Sequence, residues 1–227
     1  MAKQYNQEEQ NSSIENLNSR LTSAGQQIAA NKKAVFWSVG AVLLIGCFVV
    51  GYVLIYRNPR LNKSWEAYNN VEITAMANDS LATDGYMKVA DKYSGTSAAN
   101  VAALSAAERL YDQGKYEEAV KYVKKFSTGD PVLSANALAL QGDCYVNLKK
   151  YDEALKAYDK AIKAADRNPQ IVPRVLMKEA NVYDEQKAYD KALACYEEIS
   201  KEYPQFVLGN GMTMEAYAER ERARLGK

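Results

Sequence analysis

The chain has 227 residues, with 29 Lys and Arg against 28 Asp and Glu, and it contains no histidine. Near-neutral charge without a basic block leaves no electrostatic footprint for nucleic acid. The absence of histidine removes the commonest general base and transition-metal ligand; with no P-loop, G-x-S-x-G, G-x-G-x-x-G or C-x-x-C either, no enzyme, cofactor, metal or small-molecule substrate is expected.

Residues 1–33 are rich in Asn, Gln and Ser and read as disordered at their start. Ile14, Leu17, Leu21, Ala24 and Ile28 then fall at spacings of 3, 4, 3 and 4, the stripe of a short amphipathic helix. Two heptads are marginal alone. The stripe fits a helix that docks on a partner or lies at a membrane surface equally with a frayed lead-in.

Residues 34–56, AVFWSVGAVLLIGCFVVGYVLIY, hold 23 residues without a formal charge. A helix of that length rises roughly 34 Å, against a hydrocarbon core of about 30 Å. Lys32 and Lys33 bound it on one side, and Arg57, Arg60 and Lys63 on the other. Phe36, Trp37, Tyr52 and Tyr56 lie near its ends, where aromatic rings favour the headgroup layer. A transmembrane anchor is expected. The polar residues before the run, and the lack of an A-x-A site after it, argue against a cleaved secretory signal. Leu44-Ile45-Gly46-Cys47 resembles a bacterial lipoprotein cleavage site, but nine further apolar residues follow Cys47, which favours an intact span. Flanking charges tie, so they do not orient the span. Cys47 and Gly51, with Gly40 near the same face, would permit close approach of a second membrane helix.

Beyond the span the remaining 25 basic and 25 acidic side chains balance, in a length sufficient for one continuous core. Asn58-Pro59 reads as an N-cap and first turn. Residues 57–97 form a degenerate helical hairpin, with a break at Asn78-Asp79-Ser80. Three segments then align: Gly114-Lys115-Tyr116-Glu117-Glu118-Ala119-Val120, Lys149-Lys150-Tyr151-Asp152-Glu153-Ala154-Leu155, and Lys187-Ala188-Tyr189-Asp190-Lys191-Ala192-Leu193. Their tyrosines lie 35 and then 38 residues apart. The helices before them place Ala107, Gly142 and Ala180 in register, followed by Leu110, Tyr145 and Tyr183. The helices after them place Val123, Tyr158 and Tyr196, then Phe126, Ala161 and Ile199. Small residues suit the point where paired helices cross, and aromatic residues fill the gap between one pair and the next. Cys144 and Cys195 fall in helical stretches and read as buried thiols. Residues 206–227 comprise a loop and a charged helix from Met212 to Leu225 that caps the array.

This pattern resembles the tetratricopeptide repeat, clearly over residues 98–205 and loosely over 60–227. The resemblance implies an all-α solenoid whose tyrosines are core and whose inner helices line a concave groove. The groove residues it assigns are Leu104, Glu108 and Tyr111; Ala139, Asp143 and Val146; and Met177, Asn181 and Asp184. Some such domains clamp an acidic peptide tail with lysines and asparagines. Here Glu108, Asp143 and Asn181 occupy the matching positions, which favours an extended, apolar or mildly basic segment.

The layout of polar N-terminus, span and repeat domain is similar to the YfgM-type ancillary subunits of the SecYEG translocon. Two stretches carry the likeness: DGYMKVADKYSGTSAANVAALSAAERLYDQGKYEEAV and KKFSTGDPVLSANALALQGDCY. That resemblance implies a single-pass protein of the bacterial inner membrane, N-terminus cytoplasmic and repeat domain periplasmic. Its partners would be the Sec translocon, secreted chains or periplasmic chaperones. The alternative is a tetratricopeptide assembly factor of another envelope complex, an outer-membrane assembly lipoprotein included.

Overall fold

The computed structural model describes residues 20, 22, 31–77, 79–208 and 212–226. The stripe residues Ile14, Leu17, Leu21, Ala24 and Ile28 and the loop residues 209–211 lie outside them. The described secondary structure is helical throughout, without a strand, and the chain divides into two compact units, Met1–Pro59 and Arg60–Lys227.

In the first unit, α1 (Lys32–Gly51) gives way to a π-helical turn over Tyr52–Arg57. The Asn58 N–H donates to the Val53 carbonyl five residues back. Asn58 has helical dihedrals, φ −64° and ψ −47°, so it is no N-cap, contrary to the sequence expectation. Pro59 gives a physical reason: its ring clashes with the carbonyl four residues back in an α-helix, and a wider turn relieves that clash. Phe36, Trp37, Leu43, Leu44, Ile45 and Phe48 are all more than half exposed, so α1 is apolar around its circumference with nothing among the described residues covering it. Among the described residues it begins the one helix that is long and apolar enough to cross a membrane. Cys47 lies exposed on it.

The second unit continues with α2 (Asn58–Ala77), α3 (Asp79–Lys92), α4 (Ser97–Asp112), α5 (Tyr116–Val123), α6 (Pro131–Asn147), α7 (Tyr151–Ala164), α8 (Val172–Glu185), α9 (Tyr189–Glu202) and α10 (Met214–Arg224). From α3 onward each helix packs on the next along the chain, the nearest-neighbour logic of a solenoid. The helix starts are written in the sequence. Thr96 accepts the Ala99 N–H at 3.2 Å, Asp130 accepts the Leu133 N–H at 2.9 Å ahead of Pro131, and Thr213 accepts the Ala216 N–H at 3.3 Å. The last helix therefore begins two residues later than its apolar pattern predicts.

The first hairpin closes at Gly85. A Cβ there would lie 2.8 Å from both γ-carbons of Val71, so the lack of a side chain at this position lets α2 approach α3. Beside it the Tyr68 and Tyr86 rings pack 5.7 Å apart.

The three aligned segments share one turn. Gly114, Lys149 and Lys187 have φ of 74°, 55° and 57°. The following N–H groups, of Lys115, Lys150 and Ala188, reach back to Leu110, Tyr145 and Tyr183 carbonyls at 2.8, 2.8 and 2.9 Å. This is the Schellman closure, which glycine fits and a side chain strains. Lys149→Gly and Lys187→Gly should each stabilise the domain by roughly 0.5–1 kcal/mol, read as a higher urea midpoint with an unchanged slope.

Two apolar clusters fill the solenoid. One joins α3, α4, α5 and α6 around Tyr86, Leu110 and the buried alanines of α4. The other joins α6 to α10 around Tyr158, Val175, Tyr196 and Ile199. Helix α6 is the shared wall, giving Ala137 and Cys144 to the first and Ala135 and Ala139 to the second. Burial pushes the Cys144 and Cys195 thiols up to about 12, so both stay protonated and unreactive at neutral pH.

Candidate protein-binding groove

An open cleft of about 560 Å³ lies between α6 and α8. Five of the residues assigned from the repeat register line it: Tyr111, Asp143, Val146, Asn181 and Asp184. The other four lie elsewhere. Glu108 lines a neighbouring cleft of about 510 Å³ with Glu72, Tyr86, Arg109 and Asp112. Met177 sits with Asn181 on a shelf formed by Phe206, Val207 and Leu208. Leu104 packs on the first cluster and Ala139 is buried in the second. Both turn away because the inner helices touch neighbours on two sides, which narrows the face left for a ligand.

The cleft also takes residues that the register does not assign. Asn147 stands one turn beyond Asp143 and donates to the Asp143 carbonyl at 2.9 Å, so helical spacing alone identifies it. Tyr151 and Tyr189 are motif tyrosines read as core. They are half-buried and line the cleft, whereas Tyr158 and Tyr196, about two turns further along the same helices, are fully buried. Lys178 and Arg224 complete the wall, and Arg224 arrives from a helix whose contacts no local pattern reveals.

Those cations change the electrostatics. Asp143 accepts the Tyr158 hydroxyl at 2.7 Å and the Lys178 ammonium at 2.5 Å. Asp184 accepts Arg220 at 2.7 Å and Arg224 at 3.3 Å. Two of the three carboxylates that the repeat register places in the groove, Asp143 and Asp184, are thus engaged within the domain. Charge reversal at either one would disturb folding before it tested binding. Hydroxyl-to-carboxylate bonds recur along the array: Tyr86 donates to Glu72 at 2.7 Å, and Tyr122 to Asp91 at 3.0 Å beside Lys125. Burial raises each of these phenols, with the accepted carboxylate adding to the shift. They are structural donors and stay protonated. A wider hollow of about 860 Å³ flanks the first hairpin, floored by Val71, Met87 and Val89. Its Asp91 is already held by Tyr122 and Lys125, so the hollow offers apolar area with little directed hydrogen bonding.

Residues 104–169 match the family described as tetratricopeptide repeat, and residues 174–205 match a second family of the same description. This chain carries tetratricopeptide repeats. Two crystal structures described as MamA share the architecture. One, at 22% identity and a TM-score of 0.51, covers 64% of this chain and 77% of that one. The other, at 19% identity and a TM-score of 0.53, covers 73% and 90%. At these identities the likeness is one of fold. Comparison with curated protein sequences gives no match. Tetratricopeptide domains are scaffolds for protein–protein interaction, and the repeat domain here is of that kind.

One carboxylate outside the cleft is strained electrostatically. Glu179 on α8 is partly buried, and burial, with the nearby charges of Asp159 and Glu198, pushes it up to about 7. Between its ordinary value of 4.5 and about 7 the folded state binds the extra proton, so stability falls as pH rises through that window. Glu179→Gln removes this penalty. It should stabilise the protein by about 1–2 kcal/mol at pH 8 and leave it unchanged at about pH 4, as read from thermal unfolding at both values.

Proposed function

We propose that this is a single-pass protein of the bacterial inner membrane, N-terminus cytoplasmic and repeat domain periplasmic. It acts as an accessory subunit of the Sec translocon that holds secreted polypeptides or their chaperones in the concave cleft. The observation that carries the binding part is the pairing pattern of that cleft. Lys178 and the arginines of α10 neutralise Asp143 and Asp184, while the side chain of Asn181 stands exposed with no hydrogen bond among the described residues, next to the half-buried Tyr151 and Tyr189. Such side chains donate and accept without demanding one ligand sequence, which suits a surface that meets many chains. The uncovered apolar helix and the layout shared with the YfgM-type subunits support the membrane and translocon parts.

The test is photocrosslinking in intact membranes from Asn181 in the cleft and Lys160 on α7. Translocon components, secreted chains or periplasmic chaperones caught from Asn181 and not from Lys160 are the expected result. Capture of cytoplasmic proteins alone, or of outer-membrane assembly factors with a chain cleaved before Cys47, would overturn the assignment.

A further inference from the structure

The charges lining the concave face divide into those closed within the domain and those left open. In the α6–α8 cleft Lys178 closes Asp143, and Arg220 and Arg224 close Asp184. Glu185 is the lining charge that makes no ion pair among the described residues. In the neighbouring cleft Arg109 lies 5.3 Å over the Tyr86 ring, near Glu72, which accepts the Tyr86 hydroxyl. That leaves Glu108 and Asp112, which make no ion pair among the described residues and sit one turn apart on α4.

The imbalance has a source in the repeat register. Lys178, which closes Asp143, stands two residues before the small residue Ala180 of its own helix. The same place before Gly142 holds Leu140, which packs into the first cluster and brings no cation toward Glu108. Glu108 and Asp112 are therefore an uncompensated like-charge pair at i and i+4, an arrangement that destabilises a helix unless a cation joins it. Helix α4 carries both of these carboxylates and also Tyr111 of the larger cleft, so the open acids and the hydrogen-bonding wall adjoin.

We propose that the concave face selects extended polypeptide segments bearing lysine or arginine, with Asn181, Tyr151 and Tyr189 meeting the main chain and Glu108, Asp112 and Glu185 meeting the cations. This rests on the cleft being the binding surface and adds the charge of what enters it.

The experiment is fluorescence anisotropy with the full chain in detergent micelles, using a labelled Ser/Leu/Lys peptide and its Ser/Leu/Glu counterpart. The lysine peptide should bind about tenfold tighter at low salt, and the preference should shrink as salt rises. In the Glu108→Gln, Asp112→Asn, Glu185→Gln variant the two peptides should bind within about twofold of each other. These three carboxylates hold no ion pair among the described residues, so the variant is expected to keep its fold, checked by its helical circular dichroism. Equal binding of both peptides to the wild type, no binding of either, or a preference unchanged in the triple variant overturns the proposal. Asn181→Trp separates this from failure of the groove itself. Loss of both peptides there with no charge preference keeps the groove and rejects the charge rule, whereas binding indifferent to Asn181→Trp rejects the groove.

Discussion

Replacing Gly142 by alanine is expected to lower the stability of the repeat domain by about 3 kcal/mol, near the upper end for overpacking a core. A Cβ at Gly142 would lie 2.3 Å from Cε1 and 2.5 Å from Cδ1 of Tyr158. That ring is fully buried, and its hydroxyl is tied to Asp143 at 2.7 Å, so it has nowhere to swing. The usual gain of about 1 kcal/mol for alanine over glycine in a helix offsets only part of the clash. Thermal unfolding followed at 222 nm should show the midpoint fall by roughly 6–12 °C. Gly85→Ala is the contrasting case. The atoms in its way are the ends of a valine side chain on the first helix of the array, which can give, so a loss of about 1 kcal/mol or less is expected. In a Tyr158→Leu background the Gly142→Ala loss should shrink below about 1 kcal/mol, because the two changes act on one contact. An unreduced loss there would show that the ring is not what excludes a side chain at residue 142.

Glu221→Ala should have the second-largest effect, a loss of about 2–3 kcal/mol. Glu221 is fully buried on α10, accepting Arg220 at 2.6 Å and Arg224 at 3.0 Å. Burial by itself would raise its carboxyl, but the hydrogen bonds from Arg220 and Arg224 outweigh it and hold the group below its ordinary 4.5. Asp184, sharing the same arginines, is pushed above its ordinary 3.8 by burial and by the Glu221 charge. Breaking a buried pair by removing one partner leaves the other charge poorly compensated; the arginines here are 39% and 40% exposed, which sets the figure at the low end. A depressed carboxylate contributes stability that is present above 4.5 and lost as pH falls through its folded value. Asp184, raised, works in the opposite sense, since its contribution weakens as pH rises above 3.8. Acid unfolding of the wild type below about pH 4.5 should therefore include a step from Glu221 that the variant lacks. The stacked Tyr196 and Tyr217 rings, 5.2 Å apart across α9 and α10, give a near-ultraviolet signal for the docking of α10 on which to read it.

The repeats were legible because their physics is local. Schellman turns recur at a fixed offset before each motif tyrosine, and the glycine at residue 114 marks the left-handed position that Lys149 and Lys187 also adopt. Small residues at Ala107, Gly142 and Ala180 mark the crossings, and all three are buried. The groove was legible only in part. Register rotates a side chain by 100° per residue, and an inner helix wedged between two neighbours exposes a narrower strip than the repeat pattern assumes. Ala139 and Leu104 fell to the core for that reason, while Tyr151 and Tyr189, which look like core in sequence, border the cleft.

The sequence by itself determined that this is an all-helical repeat protein with one apolar segment long enough to span a membrane, because periodicity, caps and uncharged length are properties of neighbouring residues. Which charges remain open to a partner was decided only by the tertiary structure. Asp143 meets Lys178 from 35 residues away, and Asp184 meets Arg220 and Arg224 from 36 and 40. Pairs closed across that separation depend on how successive hairpins stack, which no local pattern encodes.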